Sequence, residues 1–343
     1  MESMKILGIE TSCDETSAAV IADNRVLSNV IASQAVHLQF GGVVPELASR
    51  AHVRKIVPIV KEALKEARVS LTDVDAIAVT HGPGLIGALL VGVNYAKGLA
   101  MALKKPLIGV NHLEGHIYSN FLTHPELEPP FLVLLVSGGH TMLLLVEAHL
   151  KYRLLGQTRD DAIGEAYDKV AKLLGLGYPG GPVIDKRAQQ GNPEYVTFPK
   201  GLAQDESFDF SYSGLKTAVA NFLKSLSSRE IEHHMNDICA AFQKAAVDIL
   251  VEKTIRAART FQIRRITIAG GVAANSYLRS EMARRAAEYH LDIFVPEFQY
   301  CTDNAAMIAR AGWQRLQAGF QSDLYLNAFA TLPLGEPLLT HAG

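Results

Sequence analysis

KILGIETSCDETSAAVIA, residues 5–22, and FLVLLVSGGHTMLLLVE, residues 131–147, are built alike. Each opens with a short apolar strand, Lys5 to Glu10 in one and Phe131 to Val136 in the other. A small polar turn follows, TSCDET or SGGHT, and the chain then enters a second strand, Ser17 to Ala22 or Met142 to Glu147. The alternation of apolar runs with turn residues is what marks strand, turn and strand. The two copies start 126 residues apart (131 minus 5), so a duplicated α/β architecture is the economical reading of the 343-residue chain.

Working outward, PELASRAHVRKIVPIVKEALKEA carries Val53, Ile56, Val57, Val60 and Leu64 at helical spacing, with Pro58 expected to kink it. Strand DAIAVT, turn HGPG and a helix of small residues come next. The Pro-rich THPELEPP marks a boundary, which predicts an N-terminal lobe over 1–125 and a C-terminal lobe over 126–343, with an insertion at about 156–217. In the second half DDAIGEAYDKVAKLLGLG reads as a helix capped by Asp160 or Asp161. Residues 192–214 read as loop; a long helix around ICAAFQKAAVDILVEKTIRAAR leads to strand RRITIAG, turn GGVAAN and another helix. A last strand, LDIFVP, precedes CTDNAAMIARAGW, a cap and helix.

With 48% hydrophobic and 20% charged residues the composition is that of an ordinary globular protein, and a net charge of −2 gives no hint of a nucleic-acid partner, so any such contact must come from local patches. Cys13, Cys239 and Cys301 are odd in number and far apart, which fits a reducing compartment. The chain runs from Met1 almost directly into a strand, so a cytoplasmic location is expected. Leu85 to Leu103 is apolar enough to resemble a membrane span, but Asn94 and Lys97 interrupt it. Gly84, Ala88, Gly92 and Ala96 recur every fourth residue, the face of a helix packed closely on a sheet, and no membrane contact is expected.

His112-Leu113-Glu114-Gly115-His116 raises a metal question. On a helix, residues four apart are offset by about 40° and about 6 Å, so His112 and His116 share a face and can hold one ion. Glu114 lies about 160° from each, whereas a zinc peptidase places its glutamate directly after the first histidine. With 12 histidines in the chain such a pair also arises by chance, so a third ligand is required. Asp303 in CTDN has two readings, the N-cap of the last helix or that third ligand. Glycine-bearing turns SGGHT, GYPGGP and AGGVAAN let backbone N–H groups approach a phosphate, and several in one chain imply a nucleotide cleft. Asn275 precedes a helix, where capping alone explains it.

Taken together, GIETSCDET, GGVVPELASR, HGPGLIGALLVG, HLEGH, LVSGGH, GEAYDKVAKLLGLGYPGGP, FSYSGLKTAV, AGGVAAN and CTDN resemble, in order from about Lys5 to Trp313, the bacterial TsaD family of tRNA N6-adenosine threonylcarbamoyltransferases. The resemblance implies the two-lobed actin-like, hexokinase-like and Hsp70-like fold with a nucleotide cleft. It also implies transfer of a threonylcarbamoyl group from threonylcarbamoyl-AMP to N6 of adenosine 37 in tRNAs reading codons that begin with A. His112, His116 and Asp303 would bind one divalent metal ion, usually iron as Fe(2+), with zinc or manganese as alternatives. Leu135, Val136, Ser137, Gly138, Gly139, Asp168, Gly181, Asp185 and Asn275 would contact the nucleotide or acyl group. The implied partners are TsaB-like and TsaE-like proteins.

The donor is a mixed anhydride with a good leaving group, so the weak nucleophile, an exocyclic amine, sets the difficulty. A base is needed near it, and Asp14 or Glu15 in the first turn is the candidate. Basic residues Arg50, Arg54, Lys55, Lys104 and Lys105 are either phosphate contacts or a solvated surface. The alternatives are a metallopeptidase, the older family label of O-sialoglycoprotein endopeptidase, and an actin-like ATPase or sugar kinase.

Overall fold

The computed structural model describes residues 3–34 and 42–335. Its strands form two five-stranded sheets. In the first, the order is β3 (Arg25–Ala32), β2 (Thr16–Ala22), β1 (Lys5–Glu10), β4 (Ala76–Gly82) and β5 (Leu107–Asn111). In the second it is β8 (Lys151–Gln157), β7 (Thr141–Ala148), β6 (Phe131–Val136), β9 (Arg265–Ala269) and β10 (Asp292–Phe294). The correspondence is position by position. β1 pairs antiparallel with β2 and parallel with β4, and β6 pairs antiparallel with β7 and parallel with β9. The next strand outward, β5 or β10, is again parallel. The duplication read in two short stretches therefore extends to whole sheets.

Alternation along β1 decides what covers the first sheet. Leu7 and Ile9 enter a core with Ile56 and Val60 of α1 (Pro45–Ala67) and Leu89 and Val93 of α2 (Ile86–Leu103). Each such side chain contributes about 1.5–3 kcal/mol by leaving water. Gly8 faces the other way, where an added Cβ would collide with the carbonyl of Ala305 and with Ala309 on α10 (Ala305–Gln317). Gly312 of the same helix packs equally closely on Ala78. The last helix thus seats small residues directly on the first sheet. α2, the one described helix long and apolar enough to cross a membrane, buries Ala88, Gly92, Ala96 and Ala100, and the Thr11 hydroxyl donates to the Ala88 carbonyl at 3.0 Å.

That packing alters the expected lobes. The chain separates into two compact units: one runs to Leu127, takes in His149–Lys151 and resumes at Pro296, and the other comprises Glu128–Ala148 and Tyr152–Val295. The linear boundary at 125/126 assigned everything afterwards to the second lobe; the residues from Pro296 instead return to the first, because α10 packs on β1, β4 and α3 (His112–Thr123). The structure adds elements that the sequence reading does not assign: β3, β5, β8, α6 (Ser213–Lys224) and α7 (Ser228–His233). β3 and β8 are half-exposed, so their apolar alternation is weak. α1 continues through Pro58 without interruption.

Candidate metal centre and nucleotide turns

In the first unit the polar residues gather at the carboxyl ends of β1, β4 and β5. β5 runs directly into α3, whose N-cap Asn111 accepts a hydrogen bond from the Leu113 amide at 2.9 Å. The helix presents His112 and His116 together, ring centroids 4.7 Å apart and planes at 82°. Asp303 arrives from the other end of the chain. Its Oδ1 lies 3.4 Å from His112 Nε2 and 3.2 Å from His116 Nε2. Among the described residues this trio is the group able to hold a metal ion, with its donor atoms all within 4.8 Å of one another.

The two readings of Asp303 separate here. Asn304, not Asp303, caps α10, its side chain accepting from the Met307 amide at 3.0 Å. The Asp303 carboxylate is thereby left for the histidines. His116 is 1% exposed in its side chain, and neither ring nitrogen has a hydrogen-bond partner although Nε2 is near Asp303. A buried polar atom without a partner costs about 1–3 kcal/mol. A cation bound by Nε2 removes that cost at one nitrogen, and two imidazoles with one carboxylate are a donor set for a first-row divalent metal. The residues fit a metal ion.

Electrostatics agree with the geometry. Burial would lower the His112 pKa, but Asp303 and then Glu10 outweigh it and raise it well above the usual value. Asp303 is driven in the opposite direction: burial would raise its pKa, and His112 and His116 more than reverse that. Glu15 is pushed up to about 9 by burial first, then by the charges of Asp303 and Asp14. Asp14 and Glu15 thus share the acidic neighbourhood of the trio.

Glu114 takes no part in it. Its buried carboxylate pairs with Arg315 of α10 at 2.8 Å, which fits its position on the other side of α3 from the histidines. All three metal-site residues belong to the first unit, so the centre is built by one lobe rather than contributed by two.

The second unit gathers the remaining candidates. Leu135 and Val136 are wholly buried in β6, so only their backbone is available to a ligand. After them the turn closes through Ser137 N–H to the His140 carbonyl at 2.8 Å. Gly138, Gly139 and Gly181 each have open space where a Cβ would stand, the clearance a backbone-bound phosphate needs. Asp168 of α4 (Ile163–Leu173) accepts from the Gly180 amide at 2.7 Å and so fixes the loop before α5 (Gly180–Ala188). Its pKa is raised, by burial above all. Asp185 accepts from Ser276 Oγ at 2.8 Å and Gln243 Nε2 at 3.0 Å. Asn275 caps α9 (Ser276–Glu288) through the Leu278 amide at 2.9 Å, and its amide nitrogen donates to Gln243 at 2.9 Å. Asp160 does not cap α4, as the sequence suggested; it binds Ser211, Tyr212 and Ser213 at the start of α6, and Ala162 occupies the N-cap.

Sequence reasoning passed over Glu10, Ser12, Thr80 and Arg315. Glu10 alone carried a signal, a carboxylate closing an apolar strand in GIET.

Similarity to known proteins now joins the geometry. A family model described as TsaD, tRNA N6-adenosine threonylcarbamoyltransferase, matches residues 25–310. A curated protein of that name from Caldicellulosiruptor saccharolyticus is 54% identical over 333 residues, covering 96% of this chain and 98% of its own. Another from Clostridium botulinum (strain 657 / Type Ba4) is 52% identical, covering 98% and 99%. Two solved structures share the fold at low identity. HypF of T. kodakarensis has a TM-score of 0.63 at 16% identity, covering 92% of this chain and 48% of that one. Component A of the Acidaminococcus fermentans (R)-2-hydroxyglutaryl-CoA dehydratase has 0.53 at 15%, covering 92% and 100%. These likenesses concern the fold alone and agree with its two sheets of one strand order. With its family motifs in order and its sheets duplicated, the chain belongs to the TsaD family, the tRNA N6-adenosine threonylcarbamoyltransferases.

Proposed function

We propose that the chain transfers the threonylcarbamoyl group of threonylcarbamoyl-AMP to N6 of adenosine 37 in tRNAs reading codons that begin with A. The observation that carries this reading is the convergence of His112, His116 and Asp303 close to the acidic Asp14–Glu15 turn. A divalent ion, which we assign as Fe(2+) with zinc or manganese as alternatives, would be held by the trio and would stabilise charge developing on the acyl oxygen. The chain's own residues do the rest. Gly138, Gly139 and Gly181 offer backbone N–H groups to the adenylate, with Ser137 and the main chain of Leu135 and Val136 shaping the same turn. Asp168, Asp185 and Asn275 hold the neighbouring loops in place through hydrogen bonds. Positioning supplies much of the rate for so weak a nucleophile.

In the reaction N6 attacks the carbonyl carbon and the bond from that carbon to the phosphate oxygen breaks, releasing AMP. The proton lost from N6 passes to a carboxylate of the Asp14–Glu15 pair. We assign acceptance to Asp14, because Glu15, with its pKa raised to about 9, is suited to donating a hydrogen bond. Cytoplasmic location follows from a tRNA substrate. A TsaB-like partner is assigned to the outer face of α1 and α2, where Val53, Val57, Ile86 and Leu90 are exposed, and a TsaE-like protein acts with it. Arg50 pairs with Glu46 at 2.6 Å and Lys55 donates to the Ser33 carbonyl at 3.0 Å, both exposed contacts that a phosphate can displace.

The test combines purified protein, partners, threonylcarbamoyl-AMP and unmodified tRNA, with the modified adenosine read by mass spectrometry. His116→Ala should abolish product while the circular dichroism spectrum is unchanged. Full activity of that variant refutes the metal assignment.

A further inference from the structure

Glu10 ends β1 with its side chain wholly buried. Three neighbours fix it. The Ser12 amide donates to Oε1 at 2.5 Å, the Thr80 hydroxyl donates to Oε2 at 2.7 Å, and His112 Nδ1 lies 3.1 Å from Oε2. The Ser12 hydroxyl is also 3.1 Å from His112 Nδ1. The imidazole of His112 therefore has a carboxylate at each nitrogen: Glu10 at Nδ1 and Asp303 at Nε2. Its neighbour differs. His116 Nδ1 has no hydrogen-bond partner.

A metal-bound histidine usually donates its second N–H to a carboxylate or carbonyl, which selects the tautomer, fixes the ring plane and strengthens the ligand. A carboxylate that is itself held in place fixes the ring most firmly, and the Thr80 hydroxyl and the Ser12 amide hold Glu10. Resting on the metal-centre assignment above, we propose that Glu10 is a positioning residue: it holds the proton on His112 Nδ1, aims Nε2 at the metal beside Asp303, and so sets the affinity of the site. Thr80 supports it from β4. The acid thus serves the metal ligand rather than the substrate, and of the two histidines only His112 is oriented in this way.

The test reads metal binding, not tRNA modification. Apo protein is titrated with Zn2+ and with Co2+ against a chelating dye, and folding is followed by circular dichroism. Glu10→Gln, which keeps the size but removes the charge, should weaken binding by about 10–100-fold with the fold retained, and Thr80→Val should weaken it by less. A folded Glu10→Gln with the affinity of the unsubstituted protein overturns the proposal, as does a variant that loses melting temperature without losing affinity. Nitrogen-15 NMR of zinc-loaded, histidine-labelled protein decides the point even if Glu10→Gln does not fold. Nδ1 of His112 carries the proton if the proposal holds; a metal-bound or proton-free Nδ1 overturns it. If Glu10 controls affinity yet no modified adenosine forms, the proposed function fails and this inference stands.

Discussion

The turn after β1 and the turn after β6 occupy equivalent places in two sheets of the same order, yet they are held in opposite ways. Between the paired residues Glu10 and Ser17 six residues intervene (11–16), and between Val136 and Thr141 only four (137–140). The longer turn contains Asp14 and Glu15 and is tied by a buried carboxylate, Glu10, to His112, 102 positions further along the chain. The shorter one closes on itself through backbone, with two glycines that leave space above them. One scaffold thus presents concentrated negative charge in one unit and neutral N–H groups in the other. Charge suits a cation and a proton transfer; bare amides suit a phosphate. Duplication supplied the frame, and the length and composition of each turn set its chemistry.

The largest effect is expected in the first unit, at the ion pair between α3 and α10. Arg315 and Glu114 tie α10 to α3, and both are buried. Removing one partner of a buried pair costs about 3–5 kcal/mol, so Glu114→Ala should lose most or all of that in urea unfolding. The double variant Glu114→Leu with Arg315→Met should recover much of it. If Glu114→Ala unfolds at the same urea concentration as the parent, the pair does not hold the two helices.

A second test uses pH. His81, at the end of β4 where the pairing with β5 is irregular, is buried with Nδ1 3.3 Å from the Asn327 carbonyl. Burial lowers its pKa from 6.5 to about 4, with Arg315 adding to the effect and the Asn327 carbonyl opposing it. The folded state thus prefers the neutral ring. Its contribution is complete above pH 6.5 and is lost as pH falls through about 4, a change of up to about 3 kcal/mol. His81→Asn should flatten the melting-temperature profile between those two values. An equally steep decline in the variant would show that other groups carry the acid sensitivity. His81 belongs to the first unit, so the acid sensitivity falls on the side of the molecule that carries the acidic turn.

The smallest effect belongs to the second unit. Asn275→Ala removes a helix cap and a bond to Gln243, with an expected loss of about 0.5–2 kcal/mol. Asn275→Asp keeps the cap and should restore most of it. Thermal unfolding of the two variants separates capping from ligand contact: if both are as stable as the parent while donor binding falls, Asn275 acts on the ligand alone.

Much of the candidate site was legible because it rests on local rules. His112 and His116 share a face at any helix of ordinary pitch, and Glu114 must then lie elsewhere. What was not legible depends on contacts distant in sequence. Asp303 and Asn304 are adjacent polar residues before one helix, and nothing local says which caps it; the structure gives the cap to Asn304. Asp160 looked like a cap for the same reason, yet its oxygens satisfy Ser211, Tyr212 and Ser213, half a hundred residues onward. β3 and β8 escaped notice because a half-exposed strand needs fewer apolar residues.

The sequence by itself determined the repeated strand–turn–strand units, the paired histidines on one helical face and the family whose motifs run through the chain. These follow from period, spacing and residue chemistry, which are properties of neighbouring positions. Only the tertiary structure decided that the last helix returns to the first sheet and that Glu10 backs His112. Close packing is the reason. Gly8 and Gly312 leave just enough room for α10 on β1 and β4, and that seating carries Asp303 to the two imidazoles.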